Sequence, residues 1–279
     1  MTSGTLYVVA TPLGHLGDLS ARATETLRTV GVVAAEDTRH SRRLLTAIGA
    51  TPRKLIAYHA HADARRVATL VEILTGGEDV ALVTDAGTPA ISDPGHLLVT
   101  AAHEAGIRVV PIPGPSAVAT ALSAGGFPSD RYLFLGFPPR KGKDRQVVLQ
   151  EVARNRWTTV LFEAANRLAT LLEDLAEVLG PEHEVVVARE LTKVHEEIRR
   201  APVGVLSRHY RDHLPLGEVT VLVAGRRDAP VEPGPDADVV RAAIAEWLAA
   251  GESRRAAVRR VVQEFGLARN DAYRLVMDA

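Results

Sequence analysis

The feature that most constrains this chain is a repeated switch, over residues 5–123, between short apolar runs and stretches of helical periodicity. Thr5–Ala10, Val32–Ala35, Leu55–Tyr58, Val80–Val83 and Arg108–Ile112 read as strands. Between them, helical patterns cover Ala21–Thr29, Ser41–Ile48, Asp63–Thr75 and His96–Ala105. Ser20 and Asp63 stand where N-caps belong, and Ser116 caps a further helix to about Ser123. Strands joined through helices run parallel, so this region predicts a largely parallel sheet with helices on both faces. Every loop that leaves a strand then lies along one edge, where open α/β sheets hold their ligands.

Three such loops are unusually dense in glycine, proline and small polar residues: Thr11–Asp18 (TPLGHLGD), Thr84–Gly95 (TDAGTPAISDPG) and Pro113–Ala117 (PGPSA). One alone is a rigid turn. Three at one edge predict a small-molecule pocket, and the last opens a helix whose free N–H groups can receive a carboxylate or hydroxyl. No G-x-G-x-x-G follows the first strand, which excludes the standard dinucleotide fold.

Gly125-Gly126-Phe127-Pro128 reads as a boundary, and a second α/β pattern follows it. Its strands are expected at Tyr132–Leu135, Thr158–Phe162, Glu184–Ala188, about Glu196–Arg199, and Glu218–Ala224; helices are expected at Asp144–Ala153, Arg167–Leu179 and Pro202–Tyr210. Ala229–Asp238 carries three prolines and three acids, the composition of a linker. Only helical patterns follow. The expected organisation is therefore 1–124 and 125–228 as α/β domains, 229–237 as linker, and 238–279 as a small all-α domain.

The 279 residues contain no cysteine, which removes disulfides, thiol nucleophiles and cysteine-ligated zinc. With a net charge of −1, any nucleic-acid partner must be met by local patches. There is no signal-peptide pattern and no apolar stretch of membrane-spanning length, so a cytoplasmic protein away from membranes is expected.

Several segments carry candidate chemistry. Glu36-Asp37-Thr38-Arg39-His40 either holds a substrate hydroxyl or merely caps a helix beside a surface ion pair. Tyr58-His59-Ala60-His61 sets two imidazoles on one side of a strand, but without further ligands a polar substrate contact is expected and no metal. Gly136–Lys143 (GFPPRKGK) fails as a phosphate loop and reads as a solvated basic loop, with Arg140, Lys141, Lys143 and Arg145 available to an anionic polymer. Glu163, Arg189, Glu190 and Lys193 follow strands and suggest a polar wall. From Arg254 to Arg274 there are six arginines against two acids, with Gly266 where a helix-turn-helix bends. That stretch reads either as a phosphate-binding patch or as a solvated face.

These loops resemble the tetrapyrrole-methylase-like (class III) S-adenosylmethionine methyltransferases, and within them the branch that acts on ribosomal RNA. The resemblance rests on Ala10–Gly14, Ala34–His40, the Asp85–Gly95 loop, Pro113–Ala117, Ala188–Lys193, Ala201–Gly204 and Gly217–Val219, and spans about Gly4 to Gly225. The chain departs from the branch at His15, where asparagine is usual, and at Ala164-Ala165-Asn166 between Glu163 and Arg167.

The resemblance implies two α/β domains with a cofactor cleft between them, S-adenosylmethionine as cofactor, and a homodimer. It implies methylation of the ribose 2′-oxygen of a cytidine in the decoding region of 16S rRNA, with the small ribosomal subunit as partner. Cofactor contacts would fall on Pro12, Leu13, Asp85, Ala86, Gly87, Ala90, Ile91, Ser116 and Ala117, and on Phe162, Ala188, Val219 and Thr220 across the cleft. Because a ribose hydroxyl is a poor nucleophile, a proton acceptor is expected among Glu36, Asp37 and His61, with Arg39 or Lys193 orienting ribose or phosphate. RNA contacts would fall on Arg140, Lys141 and Lys143, and on Arg254, Arg255, Arg259, Arg260, Arg269 and Arg274 in the tail. Two other readings stay open: a methyltransferase of a small tetrapyrrole, and a cofactor-sensing nucleic-acid binder without catalysis.

Overall fold

A computed structural model describes residues 3–59, 64–226, 237–267 and 269–278; the side chains of 237, 269 and 270 are outside that description. Two compact units are present, 1–226 and 227–279.

The larger unit contains two five-stranded sheets. The first comprises β1 (Thr5–Val9), β2 (Val32–Ala35), β3 (Lys54–Ala57), β4 (Val80–Val83) and β5 (Arg108–Ile112). Their order is β3-β2-β4-β1-β5, and every pair is parallel. β2 (VVAA) and β4 (VALV) are buried throughout, as strands covered on both faces must be. Alternate residues serve opposite cores. Val33, Ala35, Ala81 and Val83 meet Ala23 and Leu27 of α1 (Ala21–Thr29) and Leu45 of α2 (Thr38–Ala47). Val32, Ala34, Val80 and Leu82 meet Leu70 and Leu74 of α3 (Ala64–Thr75) and Leu98 and Ala102 of α4 (His96–Glu104).

The second sheet, β6 (Tyr132–Gly136), β7 (Thr158–Ala164), β8 (Glu184–Arg189), β9 (Glu197–Pro202) and β10 (Glu218–Val223), runs β6-β7-β10-β8-β9. β6 and β7 are parallel; the remaining pairs are antiparallel. One face is covered by α6 (Lys143–Arg154), α7 (Leu168–Leu179) and α8 (Val203–Asp212), through residues such as Leu149, Leu171, Leu175 and Leu206. The other is covered by α5 (Ala117–Gly125). Val118, Ala121 and Leu122 of this helix pack on Val160, Val186, Ala188 and Leu222. The sequence pattern groups α5 with the strands before it, whereas its apolar stripe is buried on the sheet after it.

The smaller unit comprises α9 (Ala237–Ala249), α10 (Arg254–Phe265) and α11 (Arg269–Met277). They close around Val240, Ile244, Trp247, Val261, Ala272 and Val276. Ser253 caps α10, and Gly266 ends it in the left-handed conformation, φ 65°, that a non-glycine residue adopts only with strain. No helix among the described residues is long and apolar enough to cross a membrane.

Candidate active site

The three loops at the carboxyl edge of the first sheet are bonded to one another. Thr11 and Gly87 exchange backbone hydrogen bonds of 2.8 and 3.0 Å. Thr11 Oγ1 donates to the Thr84 carbonyl at 3.0 Å, and Thr88 Oγ1 donates to the Pro115 carbonyl at 3.1 Å. Ser116 caps α5, as its sequence position predicts. Facing them is the loop after β8, which reaches across through the His15 N–H to Thr192 Oγ1 bond of 3.1 Å. The His15 Nδ1 accepts the Gly17 N–H at 3.1 Å.

Between the two sets of loops lies a cavity of about 210 Å³. Of the residues expected to touch a cofactor, Leu13, Asp85, Ala86, Gly87, Ile91, Ser116 and Ala117 line it from the first side. Phe162, Ala188, Val219 and Thr220 line it from the second. Pro12 and Ala90 do not line it. Ala90 acts through the backbone instead. Among the described residues, the non-glycine residues with positive φ are Ala90 (69°), Ser92 (62°), Glu190 (50°) and Thr192 (64°), all in the loops that build the cavity. Each such residue costs about 1 kcal/mol or more, strain that clusters where backbone shape serves a site.

The wall is strongly acidic. Glu36, Asp85, Asp93, Glu163, Glu190 and Glu218 line the cavity, with Lys193 the basic residue among them. Lys193 is held by Glu190 at 3.0 Å and lies 3.8 Å from Glu218. Burial raises the Asp85 carboxyl, against the hydrogen bond it accepts from the Asp37 N–H. Burial, reinforced by Glu36, Glu218 and Asp85, pushes Asp93 up to about 6 although the Thr84 hydroxyl opposes it. Thr84 Oγ1 stands 2.5 Å from Glu36 Oε2 and 2.7 Å from Asp93 Oδ2. A hydroxyl has one proton to donate, so the pair of contacts calls for a second proton, on a carboxyl.

The 36–40 segment divides. Glu36 enters the cavity wall, its Oε2 also accepting from the Asp85 N–H at 3.3 Å. Asp37 and Arg39 do not line it. Asp37 caps α2, starting that helix at Thr38 rather than Ser41, and grips the Arg39 guanidinium at 2.8 and 3.2 Å. Arg39 holds the Asp37 carboxyl far below the ordinary range, which makes it a poor proton acceptor. His61 lies outside the described residues. Among the described residues no group of three or more His, Cys, Asp or Glu is placed to hold a metal ion.

Other cavity residues escape a reading of the sequence. Thr84, Thr88, Ser92 and Asp93 belong to the conspicuous loop, but nothing in the pattern says which of its side chains face inward. Phe137 sits in a segment dominated by basic residues, yet lines the cavity and packs on Phe162 at 5.4 Å between ring centres. Arg145, expected in solvent, is buried. Its guanidinium bonds Asp174 at 2.6 Å and the Pro139 carbonyl at 3.0 Å, and lies 3.9 Å from the fully buried Glu163. Glu163 is also paired with Arg167.

Arg140, Lys141 and Lys143 are exposed, as expected. In the tail, Arg254, Arg255, Arg259 and Arg274 are exposed, with Arg274 paired to Asp271. Arg260 is committed within its own unit: it pairs with Glu252 and Glu264 and lies 4.1 Å over the Trp247 ring. The Arg269 side chain is not described.

Two sheets with a loop-built cleft between them define a class of methyltransferases, and the sequence agrees: the family model for Tetrapyrrole (Corrin/Porphyrin) Methylases matches residues 5–207, and the chain belongs to that family. It is thus a methyltransferase. Among curated relatives it is similar to "Ribosomal RNA small subunit methyltransferase I" of Synechocystis sp., 42% identical over 275 residues, 99% of this chain and 98% of that one. The protein of the same name from Pseudomonas aeruginosa is 49% identical over 228 residues, 81% of this chain and 80% of the relative. Among solved structures, a cobalt precorrin-4 methyltransferase of cobalamin biosynthesis superposes with a TM-score of 0.61 at 19% identity, covering 79% of this chain and 94% of that one. That likeness speaks for the fold alone.

Proposed function

We propose that the chain transfers methyl groups from S-adenosylmethionine to ribosomal RNA of the small subunit, at the 2′-oxygen of a cytidine ribose in the decoding region. The observation that carries the cofactor is the charge of the cavity. Six carboxyl groups line the cavity beside one ammonium; even with Glu163 balanced by Arg145 and Arg167 and a proton shared at Asp93, the excess suits a cationic sulfonium with an ammonium tail and repels a phosphate-bearing nucleotide. Phe162, Phe137, Leu13 and Ala117 offer the apolar surface a purine needs. The relatives named for small-subunit rRNA, one matched over 98% of its length and the other over 80%, support the acceptor.

When bound, S-adenosylmethionine supplies an electrophilic methyl group on sulfur. The chain's own residues then have three tasks. The strained loops at 84–95 and 190–193 fix the reacting groups in line, where alignment carries most of the rate. Glu36, held on Oε2 by the Thr84 hydroxyl and the Asp85 N–H, takes up the proton of the acceptor hydroxyl. Lys193, anchored by Glu190, orients the acceptor's polar edge. Asp37 and Arg39 serve as the cap and hinge that present Glu36, not as the base. A homodimer belongs to the same reading.

The test is mass mapping of 16S rRNA from cells lacking the protein, together with methyl transfer by purified protein to subunits from those cells. Loss of one ribose methyl group, restored in vitro, is the expected result. Transfer to uroporphyrinogen with none to subunits would put the small-tetrapyrrole reading in its place.

A further inference from the structure

A ribose placed at an acidic cavity brings its phosphates with it. Those phosphates need a surface of the opposite sign nearby, and the cavity wall does not offer one. α2 does. It follows Glu36 and Asp37 directly, and the Asp37 N–H holds the cavity's Asp85 carboxylate at 3.1 Å. The sequence from Thr38 to Ala47, TRHSRRLLTA, contains four basic residues among its first six and no acid.

Helical spacing sorts them. At about 100° per residue, Arg39, Arg42 and Arg43 fall on one stripe, with His40 at its margin. The opposite stripe carries the buried Ser41 and Leu45, which fix the helix on the sheet. Arg39, His40, Arg42 and Arg43 are all exposed. Arg39 is 89% exposed although it grips Asp37, and Arg42 and Arg43 make no hydrogen bond or ion pair among the described residues. α3 follows β3, the neighbour of β2, so the exposed Arg65 in its first turn comes to the same sheet edge.

A solvated helix face normally mixes charges of both signs, because i,i+4 pairs of opposite charge stabilise it and like charges oppose it. Arg39 and Arg43 are an i,i+4 pair of like charge. Arg42 and Arg43, exposed on the second turn of α2, have no acidic neighbour along the helix to offset them. Local stability does not account for this stripe; an external polyanion does.

We infer that the exposed face of α2, Arg39, Arg42 and Arg43, is the phosphate-binding surface that docks RNA at the cavity mouth. The inference rests on the rRNA reading above. The RNA backbone runs along α2, and the target ribose turns over Glu36 into the cavity. The loop at 140–143 and the tail are then accessory contacts.

The test uses the full-length chain and the double variant Arg42→Glu/Arg43→Glu. Both positions are exposed and glutamate is a good helix former, so the reversal is compatible with folding. The neutral pair Arg42→Gln/Arg43→Gln repeats the test without adding charge, and Arg42→Lys/Arg43→Lys keeps it. Binding of a fluorescein-labelled single-stranded decoding-region RNA and of unmethylated small subunits is measured across a salt series, with calorimetry of S-adenosylmethionine alongside. The expected result is at least a tenfold loss of RNA affinity for the Glu pair and a smaller loss for the Gln pair. Near-normal binding is expected for the Lys pair. The salt slope should fall by about 1.4, two contacts at about 0.7 each for a single strand. S-adenosylmethionine affinity should stay within twofold. Losses below threefold for both the Glu and Gln pairs, with the slope unchanged, overturn the docking surface while leaving the rRNA reading intact. A wild-type protein with no affinity for either RNA or subunits overturns that reading and the surface with it.

Discussion

Replacing Arg145 by methionine tests the most unexpected side chain of the larger unit. Its charge is 9% exposed and serves three partners: Asp174 at 2.6 Å, the Pro139 carbonyl at 3.0 Å and Glu163 at 3.9 Å. The Asp174 side chain is 29% exposed, so losing that charge-assisted bond costs about 1.5 kcal/mol, the low end for such bonds. Stranding the Pro139 carbonyl adds about 1 kcal/mol. Glu163 is fully buried, and its Oε2 has no hydrogen-bond partner among the described residues. With Arg145 gone, Arg167 is left to balance it among the described residues. Together these give about 3–4 kcal/mol, within the range for breaking a buried pair from one side. Trp157 and Trp247 are the two tryptophans, one in each unit. In a Trp247→Phe background, urea unfolding followed by Trp157 fluorescence therefore reports the larger unit alone. Adding Glu163→Gln to Arg145→Met should recover part of the loss, since Gln accepts from Arg167 without a charge to bury. A cost below 1 kcal/mol, or no recovery in the double variant, would refute the argument that a stranded buried carboxylate is the damage.

Asp93 titrates near 6 in the folded chain and near 4 when unfolded, so the folded form keeps a proton that the unfolded form has released. Stability should fall as pH rises from about 4 to about 6, and denaturation across pH should show that slope flattened in Asp93→Asn. Gly217 has φ +83°, and a Cβ there would lie 1.8 Å from Glu190 Oε1. Gly217→Ala should push Glu190 off Lys193 and weaken S-adenosylmethionine binding by calorimetry, by about tenfold or more. In thermal melts, S-adenosylmethionine should stabilise the larger unit and ATP should not, because the acidic wall rejects phosphates. In the tail, Arg260→Ala should lower the melting point of the helical unit through lost pairing with Glu252, Glu264 and Trp247, whereas Arg255→Ala and Arg259→Ala should leave it unchanged.

The backbone was largely legible because the rules behind it are local. β2, β4 and β5 occupy the spans their apolar runs predict, and Ser20 and Ser116 cap the helices that follow them. Where local rules compete, the reading slips. Asp37 and Ser41 both stand where a cap could form, and Asp37 prevails because its carboxylate also pairs with Arg39. Pairing across distance was not legible. Arg145 reads as one more charge in a basic loop, and its partner Asp174 lies 29 residues away on α7. Arg260 is likewise spoken for by Glu252 and Trp247, which no spacing rule selects. The same limit applies at the site. The loops announce a cavity edge, but that Thr84 stands between Glu36 and Asp93 is a fact of folded geometry.

β10 is the last strand among the described residues but not the last in its sheet. It lies between β7 and β8 and hydrogen-bonds to both, and its Val219 and Thr220 form part of the cavity wall. During synthesis, β6 with β7 and β8 with β9 can form only as separate halves until residues 218–223 have left the exit tunnel. The cavity is therefore the final thing the larger unit acquires. A nascent chain carries every loop after the first sheet's strands and yet holds no closed binding site. A fragment ending at 212 should fold its first sheet and remain inert toward S-adenosylmethionine. An enzyme whose proposed target is the ribosome would thus be switched on only once residues 218–223 have emerged and paired.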